Sequence, residues 1–515
     1  MKKLIPLIAF VLLGLSCKKN DEAAPVNVLA IVPEKVSLQS GEYVNLQLLY
    51  NGAELSAGLA QWASSDERVA YVSAGLVLAK AKGTTVVTAI YNNSTAQCNV
   101  VIGSEEQLSP TENFTKSVKY LTRSAKRGVG FNFAQFPQED VAALSPFVSW
   151  CYNWGSQPAS AQISNLLDAS NVDFIPMAWN GVNEAQIRAY KQTHPHCEYI
   201  LAFNEPNLND QANMTPAQAA AKWPELKNIA DELGLKIVSP AMNYGTLEGY
   251  HDPVKWLDEF FQLVPVTDVC AIALHCYMPA ASSMYSYIHR FDKYNLPIWM
   301  TEFCSWDSPN PQNVNAQIDY MNEAVLMLEA EPKVERYAWF IPRASGAVES
   351  YPYMQLLSKT NIGQLSPQGE VFAAITTLDN NTWLPTDAPI LCNTFSNCSA
   401  AESIRNGTFA AAPHLRPSTD NPSMLMLTNM AAGQWIEYQI DVKEQTTTMS
   451  FRHLGITKSA LTIFVDGEQK IVTDIEWSDM KWTTKDIDFT LNAGHHTLRL
   501  CVPTGHIYFG WFKLQ

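Results

Sequence analysis

The feature that most constrains this chain is an alternation that holds from about Arg127 to Arg343. Short apolar runs give way to longer patterns of helical period, and then return. Candidate strands are Gly128 to Phe133, Phe147 to Asn153, Val172 to Ala178, Tyr199 to Phe203, Lys236 to Pro240, Cys270 to His275, Ile298 to Glu302 and Arg336 to Ile341. Helical patterns lie between them at Ser160 to Leu167, Glu184 to Lys191, Pro216 to Leu233, Val254 to Leu263, Met284 to Tyr294 and Ala316 to Glu331. Strand and helix in turn imply parallel βα units, and eight units of about 27 residues approach the lower size of a (β/α)8 barrel. A compact barrel with few insertions is expected.

A chain of 515 residues holds more than a barrel of this size, and about 150 residues per domain suggests three domains. Before the barrel, Val36 to Leu38, Tyr43 to Leu48 and Thr85 to Ala89 alternate with period two between turn residues, as in a small Ig-like β-sandwich. After it, Trp435 to Ile440, Leu461 to Val465 and His496 to Leu500 do the same, predicting a second, jelly-roll sandwich. The expected division is an export signal at 1–16, a tether at 17–25, the Ig-like domain at 26–105, the barrel at 120–380 and the second sandwich at 385–515.

The charge excludes some partners. With 35 basic against 50 acidic side chains, a net charge of −15 and no basic stripe, the chain is unsuited to nucleic acid or an anionic membrane surface. A neutral ligand fits better, and 14 tryptophans and 20 tyrosines could supply rings on which sugars stack, although core packing accounts for most of them. Met1-Lys2-Lys3 and the apolar run from Leu4 to Leu15 have the form of an export signal. Leu13-Gly14-Leu15-Ser16-Cys17 resembles a bacterial lipobox, which implies lipidation at Cys17 and an exported protein anchored at the outer membrane or cell surface. The other cysteines show no repeated spacing, and the absence of CxxC and HExxH leaves no indication of a disulfide framework or a zinc site. No metal and no cofactor are expected.

In a (β/α)8 barrel the active site is built at the C-terminal ends of the strands. The fourth candidate strand ends Phe203-Asn204-Glu205-Pro206 and the seventh ends Met300-Thr301-Glu302-Phe303, each with a glutamate where the apolar run stops. Burying a carboxylate is costly unless it is paired or hydrogen-bonded, so two such placements point to a task. Two carboxylates over one mouth are what glycoside hydrolysis needs: one protonates the leaving oxygen, and the other attacks the anomeric carbon or activates water. Trp154, Trp179, Trp306 and Trp339 lie at or just after strand ends and are candidate sugar platforms, with one or two of the four expected to serve packing alone.

The Asn-Glu-Pro and Thr-Glu-Phe strand ends resemble those of the large retaining clan of (β/α)8 glycosidases. Together with Gly128-Val129-Gly130-Phe131-Asn132, Trp150-Cys151-Tyr152-Asn153-Trp154 and Leu274-His275-Cys276-Tyr277, they resemble glycoside hydrolase family 128 over the whole barrel. The resemblance implies a retaining β-1,3-glucanase with Glu205 as acid/base and Glu302 as nucleophile. It also implies that Asn204 binds the sugar 2-hydroxyl, and that His275 or Tyr277 steadies the nucleophile. For His275 a satisfied strand-end histidine remains an equal alternative. A clan relative acting on another β-glycan, or a surface protein that binds glycan without cutting it, are the competing readings.

The flanks carry resemblances of their own. Val36-Ser37-Leu38, Gln61-Trp62-Ala63-Ser64-Ser65-Asp66 and Gly83 to Ala89 resemble the bacterial Ig-like group 2 domain, implying a spacer between membrane and enzyme, or an adhesive module. Gly433 to Tyr438, Ala493 to Leu500 and Phe509-Gly510-Trp511-Phe512 resemble a family 6 carbohydrate-binding module. Gly510 stands where that family's binding asparagine is expected, so the resemblance implies the framework more firmly than the sugar site. Tyr508 and Trp482 could still offer aromatic contacts.

Overall fold

The computed structural model describes residues 28–38, 43–103, 123–306, 314–344, 354–421 and 424–515. The expected signal segment, the tether and Cys17 lie outside the described residues. Among those described, no helix is long and apolar enough to cross a membrane.

The middle region contains eight strands: β1 (Arg127–Gly130), β2 (Trp150–Tyr152), β3 (Asp173–Phe174), β4 (Tyr199–Leu201), β5 (Lys236–Val238), β6 (Val269–Cys276), β7 (Ile298–Phe303) and β8 (Val334–Trp339). Their pairings are all parallel, and the order β3-β2-β1-β8-β7-β6-β5-β4 leaves β3 and β4 at the two ends. A parallel bridge from Met177, just past β3, to Leu201 of β4 joins those ends and curls the sheet into a ring. Every strand suggested by the apolar runs is present.

Two cores follow from the alternation of side chains. Trp150, Tyr152, Met177, Leu201, Ala271, Ala273, Trp299 and Ala338 point inward and fill the lumen, large rings beside small alanines. The outward residues, such as Cys151, Ile200, Ile272, Ile298 and Met300, pack beneath the surrounding helices. Several of these helices start where the sequence supplies a cap: Ser160, Asn183, Thr215, Asp252 and Ser366 each accept a backbone N–H of the first turn. Two were not evident as periodic patterns, Pro137–Leu144 and Pro367–Ala374. The second completes the eighth βα unit and lies in what reads in sequence as a connecting segment. Its Gly369 is required by close approach, because a Cβ there would stand 1.9 Å from the carbonyl oxygen of Leu356.

The N-terminal sandwich has its own core of Ile31, Leu48, Val72, Val77, Val87, Cys98 and Val100. Its Ser-Ser-Asp signature is tied to one hydroxyl: Oγ1 of Thr85 lies 2.9 Å from the hydroxyls of Ser64 and Ser65 and accepts the Asp66 N–H at the same distance. Tyr71 and Ser73 alternate to the outer face of the strand Ala70–Ser73, yet only 6% and 3% of their surface is exposed. Gln355, Leu357 and Gln368 lie opposite that face.

The C-terminal sandwich places the sheet of Trp435–Val442, Gly494–Thr504 and Ser459–Val465 against that of Leu425–Ala431, His506–Leu514 and Thr446–Gly455. Its apolar residues form one continuous core with the barrel. On the barrel helix Val314–Ala330, buried Asn322 donates to the carbonyl of Leu415 (3.0 Å) and accepts the Leu415 N–H (2.8 Å), taking the place of a neighbouring strand.

Candidate active site

Glu302 reaches the mouth through an irregularity in β7. Ile298 and Met300 pack in the outer core and Trp299 in the lumen, so strict alternation would send residue 302 outward. Instead the register shifts against both neighbours: Leu274 pairs with Met300 and His275 with Glu302, leaving Thr301 as the extra residue. A bulge of this kind re-aims a side chain, and here it turns the carboxylate inward. Glu205 is placed by a different device. It follows β4 with φ +44°, in the left-handed region that a residue with a Cβ rarely occupies, and Trp154 after β2 and Phe133 after β1 do likewise at +61° and +56°.

Both carboxylates are buried, and both are held. Oε1 of Glu302 accepts the Tyr152 hydroxyl at 2.8 Å and the Trp154 indole N–H at 2.7 Å, and Oε2 accepts the Tyr277 hydroxyl. Oε1 of Glu205 accepts the Asn243 amide at 3.2 Å and is 2.9 Å from Nδ1 of His275. The same nitrogen lies 3.3 Å from Oε2 of Glu302, so His275 bridges the pair. Burial pushes its imidazole down, but Glu302 and Glu205 outweigh burial and hold it above its ordinary value. Burial, then the adjacent Glu302, raises the Tyr152 and Tyr277 hydroxyls well above the usual tyrosine range, so both remain donors.

Among the described residues, Glu205, His275 and Glu302 form the one group of His, Cys, Asp or Glu donors close enough to share a cation, with one atom of each inside 4.8 Å of the others. Nδ1 of His275 stands within reach of an oxygen of each carboxylate, so the three groups are already within hydrogen-bonding distance of one another.

The other expected residues divide. Asn204 is buried beside Glu205, its amide donates to Gln211 at 3.2 Å, and its Oδ1 has no partner among the described residues. Trp154 and Trp306 flank Phe340, Trp154 edge-on at 6.0 Å and Trp306 stacked at 5.7 Å; with Tyr277, edge-on to both Trp306 and Phe340, they form an aromatic wall beside Glu302. Half-buried Trp179 follows β3, and its carbonyl accepts the Asn204 N–H. Trp339 is a correction. It is fully buried, packs between Phe303 and Phe372 in the outer core and donates to the Met354 carbonyl, so it offers no face to a sugar. Sequence reasoning gave no role to Tyr152, Asn243 or Phe340. Asn243 stands just past β5, where an inspection of polar residues at every strand end would find it.

Two buried carboxylates and an aromatic wall at the C-terminal end of a parallel eight-stranded ring define a glycoside hydrolase. Residues 128–372 match the family described as "Glycosyl hydrolase catalytic core", residues 25–101 the bacterial Ig-like domain (group 2), and residues 405–514 the carbohydrate binding module of family 35, where family 6 was expected. An endo-β-1,3-glucanase of glycoside hydrolase family 128, subgroup II, from Pseudomonas viridiflava is 36% identical, the match covering 50% of this chain and 99% of that one with a TM-score of 0.45. A second, from Sorangium cellulosum, is 30% identical over 48% and 98%, with a TM-score of 0.42. By sequence identity over nearly the whole of those enzymes, this chain belongs to glycoside hydrolase family 128. Alkali-sensitive linkage protein 1 of Schizosaccharomyces pombe is 27% identical over 266 residues, which are 48% of this chain and 44% of that protein, so the chain spans less than half of this curated relative.

Proposed function

We propose that the barrel hydrolyses β-1,3-glucan by double displacement with retention of configuration, Glu302 attacking the anomeric carbon and Glu205 acting first as acid and then as base. The observation that carries this reading is the carboxylate pair, with an oxygen of each inside 4.8 Å. Retaining enzymes hold their carboxyl groups about 5–5.5 Å apart, whereas inverting ones need roughly 6.5–9.5 Å to admit water. The roles follow from the partners. Both oxygens of Glu302 accept hydrogen bonds from O–H and N–H groups, which suits an ionised nucleophile. Glu205 shares His275 and the weaker Asn243 bond, leaving Oε2 for a leaving oxygen. His275, between the two, acts as a positioning residue, and Asn204 offers its unpartnered Oδ1 to a sugar hydroxyl. β-1,3-Glucan is the substrate of the two identified relatives, as their names state.

Glu205→Gln and Glu302→Gln should each cost at least about a hundredfold in rate, the loss expected for an acid/base or a nucleophile. NMR during early turnover of a linear β-1,3-glucan should show the β-anomer first. An α-anomer first would overturn double displacement. Sugar release only from another β-glycan in a panel would overturn the substrate, and glycan binding without release would overturn catalysis. The N-terminal sequence supports export and lipid anchoring at Cys17, which would place the enzyme at the cell surface; labelling with a radioactive fatty acid that is lost in Cys17→Ser tests this.

A further inference from the structure

A cavity of about 340 Å³ lies between the N-terminal sandwich and the barrel. One wall is Trp62, Tyr71 and Ser73 of the sandwich; the other is Gln355, Leu357 and Gln368, in and just beyond the connection that follows β8. That connection belongs to the same end of the barrel as the carboxylates, because it leaves the C-terminal end of a strand.

Within a largely apolar lining, several buried polar groups stand without partners. Gln355 is 2% exposed, and neither atom of its side-chain amide makes a hydrogen bond to any described residue. Oε1 of Gln368, 1% exposed, has no partner either, although its Nε2 is anchored to the Gln355 carbonyl at 2.6 Å. Across the cavity, the hydroxyls of Tyr71 and Ser73 come near each other without closing a well-formed hydrogen bond. Buried amides and hydroxyls left unpaired are costly, so such groups ordinarily meet a water or a ligand. The set supplies donors and acceptors beside the apolar surfaces of Trp62 and Leu357, and the two charged side chains of the lining, Glu67 and Lys359, are of opposite sign, a combination that suits a neutral ring bearing hydroxyls. The volume falls at the lower end of the roughly 300–1,000 Å³ usual for small-molecule pockets, enough for one or two sugar rings.

We propose that this cavity is an accessory glycan site, formed jointly by the Ig-like domain and the barrel residues Gln355, Leu357 and Gln368, which holds one or two sugar rings of the polymer away from the point of cleavage. The identity of the sugar, β-1,3-linked glucose, rests on the substrate reading above. The Ig-like domain is then a part of the substrate-holding surface.

The test uses the full-length protein. In Gln355→Leu and Gln368→Leu, the KM for long β-1,3-glucan should rise about fivefold per variant, the loss expected from one neutral hydrogen bond, while kcat on laminaritriose stays unchanged and reports an intact barrel. Crystals of the Glu302→Gln protein soaked with laminaritriose should show a sugar ring against Gln355. Only water, or a side chain of this protein, in the cavity with sugar in the barrel mouth would overturn the accessory site and leave the substrate reading standing. An unchanged KM for the polymer in both variants would overturn it equally. Sugar in neither place, with no cleavage of β-1,3-glucan, would overturn the substrate reading and this inference together. If a variant loses activity on laminaritriose as well, the soaked crystal decides.

Discussion

Three donors converge on Glu302, and the two tyrosine hydroxyls among them can each be removed with little change of shape. Tyr277→Phe deletes the hydroxyl that donates to Oε2 and keeps the ring that packs on Trp306 and Phe340. A hydrogen bond to a charged group contributes about 1.5–3 kcal/mol, so kcat should fall tenfold or more, with a smaller proportional effect on KM. Trp339→Ala should behave in the opposite way. Emptying a fully buried indole site costs about 3–5 kcal/mol of stability, read by denaturant melts, while KM for glucan stays put. The contrast also shows what single residues disclose in sequence. Both glutamates were readable because an acid that ends an apolar run is rare. The fate of Trp339 was not, since one tryptophan at a strand end is compatible with either face of the sheet. The bulge at Thr301 was equally hidden, because it exists only in the register between β7 and its two neighbours.

The eight strands were legible because most of their residues are buried and written as short apolar runs. The helix Pro367–Ala374 was not, because its eight residues include Gly369 and its neighbours cover nearly all of it, so no polar stripe marks its period. Where elements of different domains meet, charge leaves a testable mark. His414 on the strand His414–Pro417 contacts Asp319 (3.1 Å) and Glu323 (3.2 Å) on the barrel helix Val314–Ala330, with Arg416 also paired to Asp319 and Asn429 against the ring. Burial lowers the His414 imidazole, but Asp319 and Glu323 prevail and raise it to about 9. A group whose folded value is raised stabilises fully below its unfolded value near 6.5, and that contribution fades as pH climbs through about 9. The Tm should therefore fall between pH 7 and pH 10, by an amount reflecting up to about 3 kcal/mol. His414→Gln should melt lower at pH 7 and lose most of that slope. A slope identical to that of the unaltered protein would refute the assignment.

The three domains were separable in sequence by their change of period, but their mutual seating was not, because the surfaces that meet lie far apart in the chain. The barrel and the C-terminal sandwich share one apolar core, with Asn322 hydrogen-bonded to Leu415 across the junction. Cutting the chain after residue 384 should expose that core. The shortened protein is expected to aggregate or to unfold at a markedly lower temperature in a thermal scan, whereas independent domains would leave the barrel's transition unmoved. At the other flank, the burial of Tyr71 and Ser73 fixes the N-terminal sandwich beside the mouth of the barrel. A module seated in this way walls one flank of the cleft, so that a polymer would meet the barrel's mouth from a preferred direction.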